Sequence, residues 1–114
     1  MLNKHRYFSK QVTVASPATS SHIMWRAPYA CKILAVRAIR TGGSGAVVNA
    51  KVGADDVLSP DLSLTGADWM AGVLDEDQVR MAAGDTLYGE IVSAAGSPTS
   101  LTIQVDLVID ADVR

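Results

Sequence analysis

The chain has 114 residues, 48% hydrophobic and 19% charged, which suits one domain with one modest core and excludes both a multidomain machine and a disordered chain. Its formal charge of −2 conceals a segregation: residues 1–40 hold seven basic side chains and no acidic one, whereas residues 41–114 hold twelve acidic side chains against Lys51, Arg80 and Arg114. The two segments carry +7 and −9.

The opening MLNKHRYFSKQ lacks the apolar stretch of a secretory signal. Tyr7–Val14 alternates, with Phe8, Lys10, Val12 and Val14 on one side and Tyr7, Ser9, Gln11 and Thr13 on the other, and predicts a strand. Ala15–Ser21 is small and polar around Pro17 and predicts a connection. His22–Arg26 is a short apolar piece that ends at Ala27-Pro28-Tyr29, where proline predicts an edge or a bend. Cys31–Arg40 and Ala46–Val52 are β-rich runs separated by Thr41-Gly42-Gly43-Ser44-Gly45, the pattern of a glycine-tipped hairpin.

Gly53–Asp77 is less regular, with short strands expected around Asp61–Leu64 and Trp69–Val73 and another at Val79–Met81. Ala83-Gly84-Asp85 predicts a tight turn into the strand Thr86–Ser93. Ala94–Ser100 predicts a second glycine-tipped hairpin turn, leading into Leu101–Ile109. There Leu101, Ile103, Val105, Leu107 and Ile109 face one way. Seven or eight short strands with glycine or proline turns predict an all-β, antiparallel, jelly-roll-like β-sandwich. Residues 1–21 are expected to form an extended N-terminal arm, and residues 22–114 the sandwich domain.

Chemistry-bearing motifs are sparse. His5 and His22 stand without a nucleophile elbow around any serine, so no catalytic residue is assigned and the chain is read as a non-enzyme. One Cys and two His lack zinc-ligand spacing. Asp55-Asp56 and Asp75-Glu76-Asp77 lack the EF-hand spacing and read as solvated loops rather than a calcium site. The Gly42–Gly45 run lacks the Lys-Ser/Thr of a phosphate loop. No metal and no cofactor is expected. Trp25, Tyr29, Trp69 and Tyr88 could build a sugar-stacking platform, but core or subunit contact accounts for them more simply. The single Cys31 cannot form an intrachain disulfide, and no run approaches the roughly 18 apolar residues that a membrane span requires.

The charge split is the strongest directional signal. Nucleic acid is a poor partner for a chain whose only dense cations are Lys4, Arg6 and Lys10 on an otherwise acidic body of pI about 5.5. A basic N-terminal segment lying against an acidic neighbour explains more. Lys4, Arg6 and Lys10 would steer the contact, and Tyr7, Phe8, Val12 and Val14 would bury apolar area in it.

Several short motifs follow one another in order. Trp25-Arg26-Ala27-Pro28-Tyr29 precedes an Ile/Val strand, a glycine-rich tip and the strand AVVNAKVG; later Ala83-Gly84-Asp85 leads into TLYGEIVS, a Ser-Pro-Thr-Ser turn and LTIQVDLVI. Over about residues 22–110 this order resembles the small β-sandwich modules of tailed-bacteriophage virions, found in head decoration (cement) proteins and in head or tail fibres. The resemblance implies a structural protein on the outer capsid surface, made in the host cytoplasm and then carried on the virion. It also implies contacts to the major capsid protein and to sister copies, with a homotrimer favoured, and no direct contact to nucleic acid or membrane. The absence of a long repetitive shaft favours cement over fibre. The alternative is a fibre or receptor-binding module that holds a glycan.

Overall fold

The computed structural model describes residues 6–109, which form ten strands and no helix. The strands are β1 (Tyr7–Ala15), β2 (Ser20–Arg26), β3 (Cys31–Thr41), β4 (Gly45–Val52), β5 (Asp55–Asp56), β6 (Leu62–Leu64), β7 (Met70–Ala71), β8 (Arg80–Met81), β9 (Thr86–Ala95) and β10 (Ser100–Ile109). They make two antiparallel sheets. One has the order β1-β10-β3-β7, with β8 also on β3; the other has the order β2-β9-β4-β5, with β6 also on β4.

The apolar alternation read from the sequence is what joins the sheets. Leu101, Ile103, Val105 and Leu107 of β10 are fully buried, as are Ile33, Val36 and Ala38 of β3. Across the interior they meet a second buried set: Val48 and Ala50 of β4, with Leu87 and Ile91 of β9. Facing sheets of this kind stand about 10 Å apart, so one layer of side chains from each fills the space.

Three strands break strict alternation. Leu34 has no partner in β10, because Ala35 pairs with Asp106 and Ile33 with Leu107. This extra residue lets Ile33 and Val36, three apart in sequence, both point inward while Leu34 is pushed out. Met24 in β2 and Val92 in β9 are skipped in the same way.

Two sequence expectations need correction. The glycine runs at 42–45 and 94–97 do not tip hairpins: β3 and β4 lie in different sheets, and so do β9 and β10. Each connection crosses the sandwich, since strands with a single apolar face are better satisfied facing one another than side by side. The crossings are tight and interlocked. Gly42, Gly43 and Gly96 have φ of 72°, 70° and 70°, Ser44 N–H donates to Ala95 O at 2.9 Å, and Thr99 N–H donates to Thr41 O at 2.7 Å.

The N-terminal segment is the second. Over Tyr7–Ala15 it does not leave the domain as an arm but pairs residue for residue with β10, from Tyr7–Val108 to Ala15–Ser100. The pairing satisfies the backbone groups that face β10 and packs Phe8, Val12 and Val14 on the core. Residues 20 and 21, assigned to the arm, begin β2.

The irregular 53–80 segment is anchored by one side chain. Asn49, wholly buried on β4, accepts from Leu58 N–H at 3.0 Å and Ala50 N–H at 2.7 Å, and its amide donates to Leu58 O and Asp61 Oδ1. That clamp holds Val57 and Leu58 in the core although they belong to no strand.

Candidate functional site

The sheet orders put β1 and β2, the outermost strands of their respective sheets, on one long side of the sandwich. Where they meet, three rings cluster. Phe8 and Trp25 are edge to face at 5.2 Å, and Tyr29 contacts both at 6.3 and 6.1 Å. Lys10 lays its ammonium over Trp25 at 5.2 Å and Phe8 at 5.9 Å. Lys10 is half-buried, and among the described residues no carboxylate is within ion-pair distance of it.

The residues singled out from the sequence divide across this side. Phe8, Lys10, Val12 and Val14 occupy the inward face of β1, with the aromatic cluster at one end. Tyr7 faces outward and is 68% exposed. It borders a shallow groove of about 460 Å³ that is also lined by Ser9, Leu34, Arg37 and Asp106. Arg6 is exposed, and its carbonyl accepts from Ile109 N–H at 3.0 Å. Lys4 lies outside the described residues.

On the outer face of the first sheet a polar network crosses three strands. Asp106 accepts from Ser9 Oγ at 2.6 Å and Gln104 Nε2 at 2.9 Å, and it is paired with Arg37. Partial burial pushes the Asp106 carboxyl up, but the hydrogen bonds from Ser9 and Gln104 and the charge of Arg37 outweigh it. The net result lies below the ordinary value of 3.8. On the other sheet Lys51 reaches Glu90 at 3.5 Å and Asp56 at 3.6 Å. These two carboxylates, Glu90 foremost, hold its ammonium above the ordinary 10.5.

Arg40 is buried and donates to the carbonyls of Leu64, Gly42, Gly43 and Gly66, at distances from 2.5 to 3.3 Å. Its charge is used to tie the first crossing loop to the 64–66 segment. Thus two of the seven early cations, Arg37 and Arg40, serve the fold itself. Arg6, Lys10 and Arg26 form no ion pair among the described residues and lie on the β1/β2 side.

Other polar groups do not converge. Ser20 Oγ lies 2.8 Å from His22 Nε2 but also donates to Ala18 O at 2.8 Å, so its proton is directed at a carbonyl. No three His, Cys, Asp or Glu side chains gather in a metal-sized group among the described residues. Trp69 stands apart from Trp25 and Tyr29, beside β7 on the opposite side of the sandwich. The four aromatics therefore make no single platform.

The chain matches no protein-family profile and no curated protein. Function has to be read from its own surface. The two motifs that carry the virion-protein resemblance do touch: Ala27 N–H donates to Asp85 O at 2.9 Å, and Gly84 N–H donates to Ala27 O at 2.6 Å. The Arg-Ala-Pro-Tyr bend and the Ala-Gly-Asp turn are therefore one structural feature, closing one end of the β2–β9 pair. Sequence reading found both motifs without seeing the contact. It also took Trp25 and Tyr29 separately from Phe8 and Lys10, because pairing across two sheets leaves no trace in spacing.

Proposed function

We propose that this protein is a bacteriophage capsid decoration (cement) protein, which binds the outside of the head and stabilises the shell through contacts with the major capsid protein and sister copies. One observation carries the reading: two outermost strands, β1 and β2, meet with a half-buried cation–aromatic cluster between them, at which Tyr29 is exposed. That is equipment for docking rather than for bond chemistry. The strand order supports it as well. Successive strands are dealt between β1-β10-β3-β7 and the facing β2-β9-β4-β5, and in this reading that sandwich is a jelly roll, an architecture shared by capsid and lectin domains.

In this reading the N-terminal segment contacts the shell or a sister copy, and Tyr7–Ala15 does so as a strand of the sandwich. Arg6 and Tyr7 touch the neighbour directly, together with Lys4 and the ammonium of Lys10, whereas Phe8, Val12 and Val14 shape the edge from behind. The protein works on the outer capsid surface and needs no cofactor, nucleic acid or membrane.

The test is co-sedimentation of the purified chain with capsids of the phage that encodes it, stripped of this protein. The wild-type chain should saturate a fixed number of sites. Arg6→Glu/Tyr7→Ala, which alters two exposed side chains, should weaken binding at least about tenfold. Failure of the wild-type chain to bind, or unchanged binding of the variant, overturns the proposal. A glycan-binding module, the alternative, would have to rely on Trp69; loss of glycan binding on Trp69→Ala would establish it.

A further inference from the structure

The sequence places seven carboxylates between residues 53 and 77, namely Asp55, Asp56, Asp61, Asp68, Asp75, Glu76 and Asp77. The topology collects this segment along one side. β5 and β6 border β4 in one sheet, and β7 and β8 border β3 in the other. The opposite side is β1 and β2, whose flanks and strands present Arg6, Lys10 and Arg26 and no acidic residue. Part of the segregation along the sequence is therefore carried across the molecule: Arg6, Lys10 and Arg26 lie on one side and the 53–77 carboxylates on the other, whereas Lys32, Arg37 and Arg40 lie on β3, beside the acidic segment.

Both sides also expose large apolar side chains. Ile23 (71% exposed) and Tyr29 are on the basic side, Trp69 (48%) and Val73 (66%) on the acidic side. The basic side has an open backbone edge as well. Arg6 O and Ser16 N–H are directed at the β10 end of the ladder. The alternation of an antiparallel pair then turns the N–H and C=O groups of Ser9, Gln11 and Thr13 away from it.

We propose that these two sides are the halves of one interface whose occupant is a second copy of this chain: the basic β1/β2 edge of one copy seats against the acidic 53–77 edge of the next. This deepens the sister-copy part of the proposed function by naming its surfaces. Charge decides the pairing. Contact between two basic edges would set Arg6, Lys10 and Arg26 against themselves, and contact between two acidic edges would bring together six carboxylates from each besides Asp56, which Lys51 already pairs. Only the unlike pairing neutralises both. Such an interface is head to tail, so it either closes into a ring or continues as an open chain. A polyanion would satisfy the basic edge with only three described cations to bind it, and would leave the acidic edge unexplained.

The experiment measures mass in solution, without capsids. The wild-type chain at about 100 µM should exceed its monomer mass of 12.0 kDa in 50 mM NaCl and fall toward it in 500 mM NaCl, where charges are screened beyond a few ångströms. Arg6→Glu/Arg26→Glu alone should be monomeric. So should the fourfold variant Asp55→Lys/Asp68→Lys/Glu76→Lys/Asp77→Lys. All these positions are exposed, and a circular-dichroism melt verifies that each variant folds.

Mixing the two variants offers a chain whose two edges are both net acidic to one whose two edges are both net basic, and should restore association. Trp69→Ala should raise the dissociation constant at least about 30-fold. A monomeric wild type at low salt, an unchanged mass in either variant, or a mixture that stays monomeric would each overturn the pairing. None of those outcomes bears on capsid binding, which the co-sedimentation measures separately.

Discussion

Single residues decide how tightly the crossings close. A Cβ on Gly43 would lie 2.7 Å from Pro98 Cγ and 2.8 Å from Ala95 O, on a backbone with φ of 70°. Gly43→Ala should therefore cost about 1–3 kcal/mol, whereas Gly45→Ala, whose nearest contact would be Leu64 O at 3.7 Å, should stay within about 0.5 kcal/mol. Urea midpoints compare them directly. Asp106 gives a pH-dependent case. Its folded pKa is lowered, so its contribution is present above the ordinary value of 3.8 and is lost as pH falls through the lowered one. With Arg37 and Asp106 both partly exposed, Asp106→Asn should cost at most about 1 kcal/mol at pH 7. In urea titrations the difference from wild type should close toward pH 2.

Among the elements, β1 links fold and function, since it is both an integral strand and an open edge. Removing residues 1–16 would strip the ladder from β10 and expose the core beneath Phe8, Val12 and Val14. With each of those side chains partly buried, the loss should be about 3 kcal/mol or more. A drop in melting temperature, with faster amide exchange along β10, is the expected result. A truncated chain as stable as the full one would show that β1 is dispensable. Deletion is consequently a poor probe of docking, and the exposed Arg6 and Tyr7 are better ones. Lys10 has a second use: an inward-pointing charge on a nine-residue edge strand discourages indiscriminate strand addition, leaving the edge to a partner that can meet that charge.

At the scale of the whole molecule, much of the strand layout was legible in the residues. Period-two alternation in Tyr7–Val14 and Leu101–Ile109 is a local property: each strand needs one face out of water, and neighbouring residues record which. The all-β class and the positions of the long strands follow from that. Even the short Leu62–Leu64 and Arg80–Met81 strands left a trace. Three things were not local. Whether a glycine run turns back beside its own strand or crosses to the facing sheet depends on where the next apolar face can be buried, so Gly42–Gly45 could be read as a hairpin tip. The bulges at Met24, Leu34 and Val92 depend on the partner strand's register. The clamp by Asn49 joins residues that pattern alone would leave in a loop. The charge split belongs to both levels. The sequence by itself determined that basic residues come first and acidic ones later. Only the tertiary structure decided that Arg37 and Arg40 are used within the fold, while Arg6, Lys10 and Arg26 end up across the sandwich from the 53–77 carboxylates. The physical reason is that sheet order, set by burying two apolar faces against each other, assigns each segment its side of the molecule, and charge is carried along with it.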